Sequence, residues 1–404
     1  MLNLSPDQIA VRDTLMNWIT TTLATQATQA QNDPASALDD PPFITLGGYA
    51  GTGKTTLIAL IRKELATTHP DLKIGFASYT GKATRVLRSK LTTEQALLPQ
   101  DTVSTIHALM YSPIINDTEE IIGWKRKDGL DRQLIIIDEG SMVDGQIWRH
   151  LLSYNIPIIA VGDHGQLPPI KGSFNLMQEP QLRLEQIHRQ AHMHPIISLS
   201  IQARENGLIR TATYSDTVGK YDLRDIDTQE RVEELLNSYD SDTLILCGYN
   251  TTRVRLNNHI RSLKGVDSLE PIGGDRVICL RNNHTKKIYN GMLGTITSIE
   301  RVDDDWYNAT IELDDEPFPF TGLISRTQFG STEALNFTDK RSRIAMGDLF
   351  DFGYAMTVHK AQGSQAKRVV LFEEKFSKMT EDEWRKWLYT AVTRAEEELY
   401  VFAR

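Results

Sequence analysis

Short apolar runs recur in the first half of the chain, and each of them ends in glycine or polar residues. Runs of about four to eight apolar residues are typical of buried strands. Runs of this kind lie at 42–46, 72–77, 134–139 and 156–161. Between the first two, 55–65 has its apolar residues at the spacing of an amphipathic helix. Strands that alternate with helices predict an α/β fold with a parallel sheet.

The second half of the chain repeats this pattern, and a segment with a different pattern interrupts it. Strand-like runs at 242–247, 369–372 and 399–402, with a helical stretch at 251–263, predict a second α/β unit. Residues 271–345 instead contain short β-type runs separated by Asn-Gly and Asp clusters. We expect this segment to form a small β-barrel inserted in the second unit.

Two helix starts are marked by capping patterns. Ser5 with Pro6 at the first turn and Gln8 three residues on predicts a capping box, and Thr380 with Glu383 predicts another. The second helix has one apolar face, formed by Trp384, Trp387, Leu388 and Ala391. The polar segment 24–42 has little to bury, and its second half is expected to be a surface loop.

The stretch 111–127 has the pattern of two short strands around an Asn-Asp turn, which predicts a hairpin. Trp124 is followed by Lys125, Arg126 and Lys127. An aromatic ring beside cations can stack on a base and neutralise a phosphate. Alternatively, Trp124 covers the underside of its own hairpin, and the pattern does not separate the two.

Composition and charge limit the class of protein. The chain has 404 residues, so two or three domains are expected, and 40% of them are hydrophobic without any long apolar run. No membrane span or secretory signal is predicted, and a cytoplasmic location is expected. Cys247 and Cys279 lie in strand-like runs and suit buried free thiols. The net charge of −9 disfavours non-specific nucleic-acid binding, so such binding would need a local groove.

The first apolar run ends in the pattern Gly48-x-x-x-x-Gly53-Lys54-Thr55. In this pattern backbone N–H groups surround a phosphate, the lysine reaches the outer phosphates and the hydroxyl ligates Mg²⁺. The alternative is a glycine-rich turn with a chance lysine. We predict ATP and Mg²⁺ as cofactors, and the expected nucleotide-binding residues are Gly48, Gly51, Thr52, Gly53, Lys54, Thr55 and Thr56.

Two further runs end in residues that suit hydrolysis. Asp138 and Glu139 follow a strand, where ligands bind in open α/β sheets. Asp138 would hold Mg²⁺, and Glu139 would orient and deprotonate the attacking water. A solvated turn is the alternative for this pair. Gln166, in the stretch 162–169, is the candidate sensor of the γ-phosphate.

These motifs together resemble superfamily 1B helicases of the RecD-like and phage Dda-like branch, and the resemblance spans nearly the whole chain. The stretches that carry it are 51–55, 138–141, 162–169, 357–364 and 390–394. It implies two RecA-like lobes, with ATP between them and single-stranded DNA across their top. The implied domains are a first lobe at 1–190 with a hairpin pin at 111–128, a second lobe at 191–270 and 346–404, and an SH3-like barrel at 271–345.

The resemblance also implies roles for single residues. Gln8 would read adenine, although its capping box already gives it a task, and Gln166 would couple phosphate to DNA. Arg189 and Arg394 match arginine fingers, which supply positive charge to the γ-phosphate. Taken alone, either arginine suits a surface or salt-bridged position better. Trp124 would lie at the fork.

The expected DNA contacts follow the motifs. They are Thr80, Lys82, Ser104, Thr105, His107, Trp124, Asn250, Thr357, His359, Gln362 and Ser364. Neutral donors dominate this set, which suits a strand that must be held loosely enough to step. His107 and His359 are notable only through their motifs, since an isolated histidine is more often an ordinary hydrogen-bonded residue.

Three classes of function follow from these patterns: a 5′-to-3′ DNA helicase, a translocase that displaces proteins or remodels forks, and a P-loop ATPase of another kind. The expected partners are single-stranded and forked duplex DNA, with single-strand-binding or replication proteins as further candidates. An RNA substrate stays open, because no residue obviously reads a 2′-OH. We expect a monomer in a bacterial or phage-infected cell.

Overall fold

The computed structural model of the chain describes residues 4–32, 41–115, 121–169, 174–186, 194–281, 283, 286, 288–314, 316, 318–333, 335 and 347–404. Two compact units divide the chain. The first contains Met1–Ser112 and Lys125–Ser198, and the second contains Pro113–Trp124 and Leu199–Arg404. Among the described helices, none is long and apolar enough to cross a membrane.

The first unit is a parallel α/β sheet. Its strands are β1 Phe43–Gly48, β2 Ile74–Ser78, β3 Thr102–Thr105, β6 Leu134–Asp138, β7 Ile158–Gly162 and β8 Leu182–Leu184. They lie in the order β3-β2-β6-β7-β1-β8, and every neighbouring pair is parallel. The helices are α1 Pro6–Asn32, α2 Lys54–Thr68, α3 Gly81–Thr93, α4 Ile106–Met110 and α5 Gly145–Leu152.

Both faces of this sheet are apolar, which explains why its strands are continuous apolar runs. Alternate residues of one strand enter two different cores: Ile136 lies in one, and Ile135 and Ile137 lie in the other. β7 divides in the same way, with Ile159 on one face and Ile158 on the other. Strands buried on both faces lose the polar alternation of a half-exposed sheet.

The second unit has a mostly parallel sheet of its own. Its strands are β9 Ala212–Ser215, β10 Val218–Asp222, β11 Thr243–Cys247, β17 Ala355–Thr357, β18 Ala366–Phe372 and β19 Ala395–Ala403. They lie in the order β17-β11-β18-β19-β10-β9, and only the last pair is antiparallel. The helices that accompany it are α6 Pro195–Asn206, which begins in the first unit, α7 Ile226–Asn237, α8 Asn250–Leu263 and α9 Glu381–Val392.

An antiparallel sheet of five strands interrupts the second unit. Its strands are β12 Arg276–Cys279, β13 Leu293–Arg301, β14 Trp306–Leu313, β15 Phe320–Ser325 and β16 Phe350–Phe352, in the order β15-β14-β13-β12-β16. The last of these strands lies beyond the segment 271–345. Two buried ion pairs tie this sheet to α8: Arg253 contacts Asp351 at 2.8 Å, and Arg261 contacts Asp275 at 2.9 Å.

Two smaller features complete the fold. β4 Tyr111–Ile115 and β5 Ile121–Arg126 form a two-stranded sheet, and the residues between them lie outside the described part. Cys247 and Cys279 are buried free thiols, as the sequence predicts, and burial raises the pKa of Cys279 to about 12.

Candidate nucleotide site and nucleic-acid surface

The loop between β1 and α2 has a backbone that demands glycine. Gly51 and Gly53 have φ angles of 80° and 78°, in the left-handed region that other residues avoid. At Gly48, a Cβ atom would come within 2.8 Å of Thr52 Oγ1. The motif glycines are therefore required by the turn itself, which brings the chain back on to the start of α2.

The Lys54 ammonium lies inside this loop. It donates to the carbonyl oxygens of Gly48 at 2.6 Å and Tyr49 at 3.0 Å. Thr52 closes the turn, because its hydroxyl donates to the Tyr49 carbonyl at 2.8 Å. A cation in a loop that opens a helix, with the helix N–H groups beside it, is an arrangement that binds phosphate.

Asp138 ends β6 next to Thr55 and Lys54. Burial raises the pKa of the Asp138 carboxyl, while the Lys54 charge, the Glu139 N–H and the Thr55 hydroxyl act in the opposite direction. The Thr55 hydroxyl therefore contacts the Asp138 carboxylate. Oxygen donors of this type suit Mg²⁺, so the two predicted metal ligands fit that ion.

Glu139, the proposed base, has an unusual backbone. Its φ of 57° and ψ of 40° lie in the left-handed region, and its N–H donates to Asp138 Oδ1 at 3.0 Å. A non-glycine residue in this region costs roughly 1–2 kcal/mol. Such strain persists where neighbouring structure fixes it, and it clusters at functional sites.

Gln166 follows β7 and is buried. Its Nε2 donates to Asp163 Oδ2 at 3.3 Å, and Asp163 Oδ1 accepts the Gly165 N–H at 2.9 Å. Among the described residues, Gln166 Oε1 is buried without a hydrogen-bond partner. Buried polar groups are normally paired, so this oxygen is a candidate contact for a ligand or a water molecule.

Gln8 is also buried and touches the phosphate loop. Its Oε1 accepts the Ser5 N–H at 3.1 Å, which confirms that part of the predicted capping box. Its Nε2 donates to the Thr52 carbonyl at 2.9 Å. Gln8 thus joins the start of α1 to the nucleotide loop, and the capping task does not remove it from the site.

The sequence missed one pair of residues in this site. The His164 ring packs against the Tyr49 ring, with centroids 4.2 Å apart and the ring planes tilted by 46°, and a Cβ atom on Gly47 would lie 2.8 Å from His164 Nδ1. Burial lowers the pKa of His164, which favours the neutral ring, although the Asp163 charge opposes this. The position of His164 inside the 162–169 motif was the available signal, whereas its contact with Tyr49 depends on the pairing of β1 with β7.

The predicted DNA contacts of the first unit lie at the carboxyl edge of its sheet. In register, Ser78 of β2 pairs with Thr105 on one side and with Asp138 on the other. The hydroxyls of Thr80 and Thr105 cap α3 and α4, each accepting a backbone N–H at 3.2 Å.

The remaining DNA candidates of the first unit flank this edge. Lys82 is exposed on α3, and the Ser104 hydroxyl donates to the Thr105 carbonyl at 3.2 Å. The His107 ring stacks on Tyr111, with centroids 5.8 Å apart. The structure thus brings polar DNA candidates to the same sheet edge as the nucleotide residues.

The DNA candidates of the second unit gather beyond β17 and at the start of α8. Thr357 ends β17, and its carbonyl accepts the Lys360 N–H at 2.9 Å. Burial lowers the pKa of His359. Gln362 is buried, and the Ser364 N–H donates to the Ala361 carbonyl oxygen at 3.0 Å.

Asn250 opens α8 and is exposed. Its Oδ1 accepts the Arg253 Nε–H at 3.2 Å, which joins it to the arginine that binds Asp351.

Arg394, a predicted finger, is buried in its own unit. Its Nε donates to the Thr390 carbonyl at 2.9 Å, Nη1 to the Ser364 carbonyl at 3.2 Å, and Nη2 to Thr393 Oγ1 at 3.2 Å. These contacts exclude the alternative that Arg394 is an exposed surface arginine. Arg189 and the side chain of Trp124 lie outside what the structure describes.

Two family models match the chain. Residues 31–172 match the AAA domain, and residues 352–402 match the UvrD-like helicase C-terminal domain. The ATP-dependent RecD2 DNA helicase of Deinococcus radiodurans is 26% identical over 399 residues, which cover 91% of this chain and 48% of that protein. The ATP-dependent DNA helicase dda of Enterobacteria phage T4 is 34% identical over 33% of this chain and 29% of that protein.

A solved structure of Pif1 helicases at forked double-stranded DNA has a TM-score of 0.49 and 16% identity, and the match covers 99% of this chain and 92% of that chain. The chain spans about half the length of the RecD2 relative and a smaller share of dda. These matches, one over the phosphate loop and one over the end of the second unit, make the chain similar to helicases of superfamily 1B. Within that class, the relatives that it resembles are of the RecD and Dda type.

Proposed function

We propose that the chain is an ATP-dependent DNA helicase that translocates along single-stranded DNA in the 5′-to-3′ direction. One observation carries this proposal. Lys54, Thr55 and Asp138 converge at the carboxyl edge of a sheet whose neighbouring strands lead to Ser104, Thr105 and Thr80. The nucleotide site and the side chains that would donate hydrogen bonds to DNA phosphates lie on one sheet. They can be coupled through the strands that carry both.

The nucleotide residues have separate tasks in this proposal. Lys54 binds the outer phosphates of ATP, and Glu139 takes the proton of the attacking water. Mg²⁺, when held by Thr55 and Asp138, neutralises phosphate charge during hydrolysis. Gln166 is the residue proposed to couple the nucleotide to the DNA contacts. Gln8 positions the loop and the adenine.

The second unit supplies the other half of the motor. We propose a first lobe at 1–190, a second lobe at 191–270 and 346–404, and an SH3-like barrel at 271–345. Arg189 and Arg394 act as arginine fingers, which would make hydrolysis depend on closure of the lobes. Two fingers would allow the nucleotide to control which lobe holds the DNA.

The DNA track uses neutral donors. The hydroxyls of Thr80, Thr105 and Thr357 and the imidazole of His359 bind phosphates without the strong charge of a basic surface. This suits a chain with a net charge of −9, which must release each phosphate after a step. The hairpin at 111–128, with Trp124, is the proposed pin that separates the strands of a fork.

The test begins with ATP hydrolysis. The parent should hydrolyse ATP faster when single-stranded DNA is added, and Lys54→Ala should not respond at any DNA concentration. A rate of ATP hydrolysis that does not change when DNA is added would identify a P-loop ATPase of another kind. The same measurement with single-stranded RNA decides the nucleic acid.

Unwinding of a forked duplex then separates two kinds of motor. A helicase opens the fork when ATP is present, whereas a translocase that displaces proteins hydrolyses ATP on DNA without opening it. We expect opening. If DNA stimulates hydrolysis and the duplex stays closed at saturating protein, the chain is a translocase and not a helicase.

A further inference from the structure

A groove follows the outer side of β3, the strand at one end of the first sheet. It has a volume of about 380 Å³ and runs past Thr102, Val103 and Ser104. Its lining is mainly polar and charged, which does not suit an apolar small molecule. The groove belongs to the first unit alone and contains none of the nucleotide residues.

Three cations line this groove along the strand. Arg132 donates to Thr102 Oγ1 at 3.0 Å, and Arg88 donates to the Val103 carbonyl. Lys127 donates to the carbonyls of Ala108 and Leu109 at 2.8 and 2.9 Å. Burial and the nearby Arg132 charge lower the pKa of Lys127, which agrees with cations crowded together.

The carboxylates in the groove already have other partners. Asp101 is fully buried against Arg62, at 2.7 Å, whereas Asp131 binds Lys73 at 2.8 Å and also lies 4.0 Å from the groove cation Arg132. Within the described residues, neither Arg88 nor Lys127 forms a salt bridge with Asp101 or Asp131. The groove therefore keeps an excess of positive charge, although the whole chain has a net charge of −9.

One end of the groove lies at the proposed DNA track, and its other end lies away from that track. Ser104 belongs to both, and Arg132 lies at the opposite end of β3. Lys127 directly follows β5, the second strand of the hairpin. A strand in the groove would thus start near the track and the hairpin and then diverge from the track.

We propose that this groove binds the phosphate backbone of the second strand of a fork, the strand on which the motor does not move. The proposal rests on the helicase function above. β3 has four residues, which span about 10 Å at roughly 3.3 Å each. Cations over this length can contact the phosphates of a short stretch of one strand.

The experiment compares two double variants of equal charge. Arg88→Gln/Lys127→Gln removes two groove cations and keeps a side-chain donor at each position. Lys63→Gln/Lys90→Gln makes the same change in charge on α2 and α3, away from the groove. Each protein is titrated with a fork and with the single strand of its track, from low to high salt, and thermal unfolding is recorded.

The groove variant should bind the fork roughly 2- to 30-fold more weakly, as expected for two exposed ion contacts. Its salt dependence, as the slope of log K against log salt, should decrease by roughly 1.4–1.8. Single-strand affinity and DNA-stimulated hydrolysis should match those of the parent. The control variant should match the parent on both substrates.

Two results would overturn the proposal. Equal fork binding by the parent, the control and the groove variant would show that the groove holds no strand. An equal loss of single-strand affinity would make the groove part of the track. Arg132→Gln alone is the second variant, should the double variant unfold early. If the parent lacks DNA-stimulated hydrolysis, the helicase function fails, and fork binding still tests the groove.

Discussion

At the scale of single residues, the proposed nucleotide site separates binding from chemistry. Lys54 lies in the loop on two carbonyl oxygens, and it can exchange these for phosphate oxygens by moving only its side chain. Glu139 instead has a strained backbone that fixes where its carboxylate starts. A lysine that exchanges partners suits binding, and a fixed carboxylate suits proton transfer, since a base must lie within hydrogen-bonding reach of its proton.

Substitution of these two residues should give different defects. Lys54→Ala should lose ATP binding, because the outer phosphates lose their cation. Glu139→Gln should bind ATP normally and hydrolyse it about 10²- to 10⁴-fold more slowly. Nucleotide titration and steady-state kcat measure the two effects. Native turnover by Glu139→Gln would show that another residue is the base.

Arg394 tests whether a buried arginine can also serve catalysis. Arg394→Lys keeps the charge and loses the three hydrogen-bonding nitrogens of the guanidinium group. We therefore predict a fall in kcat of about 10³-fold or more with little change in ATP affinity. The protein should also be less stable, because each buried acceptor left unpaired costs about 1–3 kcal/mol.

The control for this prediction is Thr393→Val, which removes the acceptor of Arg394 Nη2 and leaves the arginine in place. Both variants are assayed at equal distances below their unfolding temperatures. If the two lose kcat equally, Arg394 only stabilises the end of α9.

Lys360 should give stability a pH dependence. Burial lowers its pKa from 10.5 to about 8, so between these values the unfolded chain binds more protons than the folded chain. Stability from this group therefore rises with pH across that window. Lys360→Met should stabilise the protein at pH 7 by about 1–3 kcal/mol, and the gain should shrink towards pH 10.5. Denaturant unfolding at several pH values measures it, and parallel curves would contradict it.

At the scale of elements, the sequence predicts what local pattern determines. The capping box of Thr380 and Glu383 is present in full, and the predicted apolar face of α9 is buried. The four apolar runs of the first sheet are strands for the same reason, since a strand buried on both faces must be apolar throughout. The glycines of the phosphate loop follow from φ angles that the motif already implies.

Elements that depend on distant partners were not predicted. β10 contains Lys220, which is buried and paired with Glu373 at 2.6 Å. β16 contains Asp351, buried against Arg253. Nothing near these residues in the chain indicates that their charges are paired. In the site, the contact of His164 with Tyr49 was missed for the same reason, whereas Lys54, Thr55 and Asp138 followed from their motifs.

In the proposed mechanism, the hairpin of β4 and β5 separates the two strands of a fork. Opening one base pair costs about 1.4 kcal/mol of stacking, and a base stacked on an aromatic ring gains roughly 1–3 kcal/mol. Trp124→Ala should therefore open forks several-fold more slowly and keep its DNA-stimulated hydrolysis. Trp124→Phe, which keeps a ring, should retain most of the unwinding. Equal unwinding by all three proteins at matched hydrolysis would show that Trp124 packs against its own hairpin.

At the scale of the whole molecule, direction of movement is the property that no single residue contains. One lobe must hold the strand while the other slides, and ATP must exchange their roles. The proposed contacts are Thr80 and Lys82 on the first unit, with His359 and Ser364 on the second. The signature at 357–364 resembles the branch that moves towards the 3′ end. We therefore predict that a duplex with a 5′ single-stranded tail is opened.

The matched substrate has the same duplex and a 3′ tail of equal length. A 5′-to-3′ motor loads on this tail too, but it moves away from the duplex and should leave it closed. Protein and salt must be equal in both reactions, because loading on phosphates weakens steeply as salt rises. Opening of the 3′-tailed duplex alone would reverse the direction and reject the RecD-like geometry of the lobes. The nucleotide site at Lys54, Asp138 and Glu139 would be unaffected by that result, since hydrolysis does not depend on which way the strand runs.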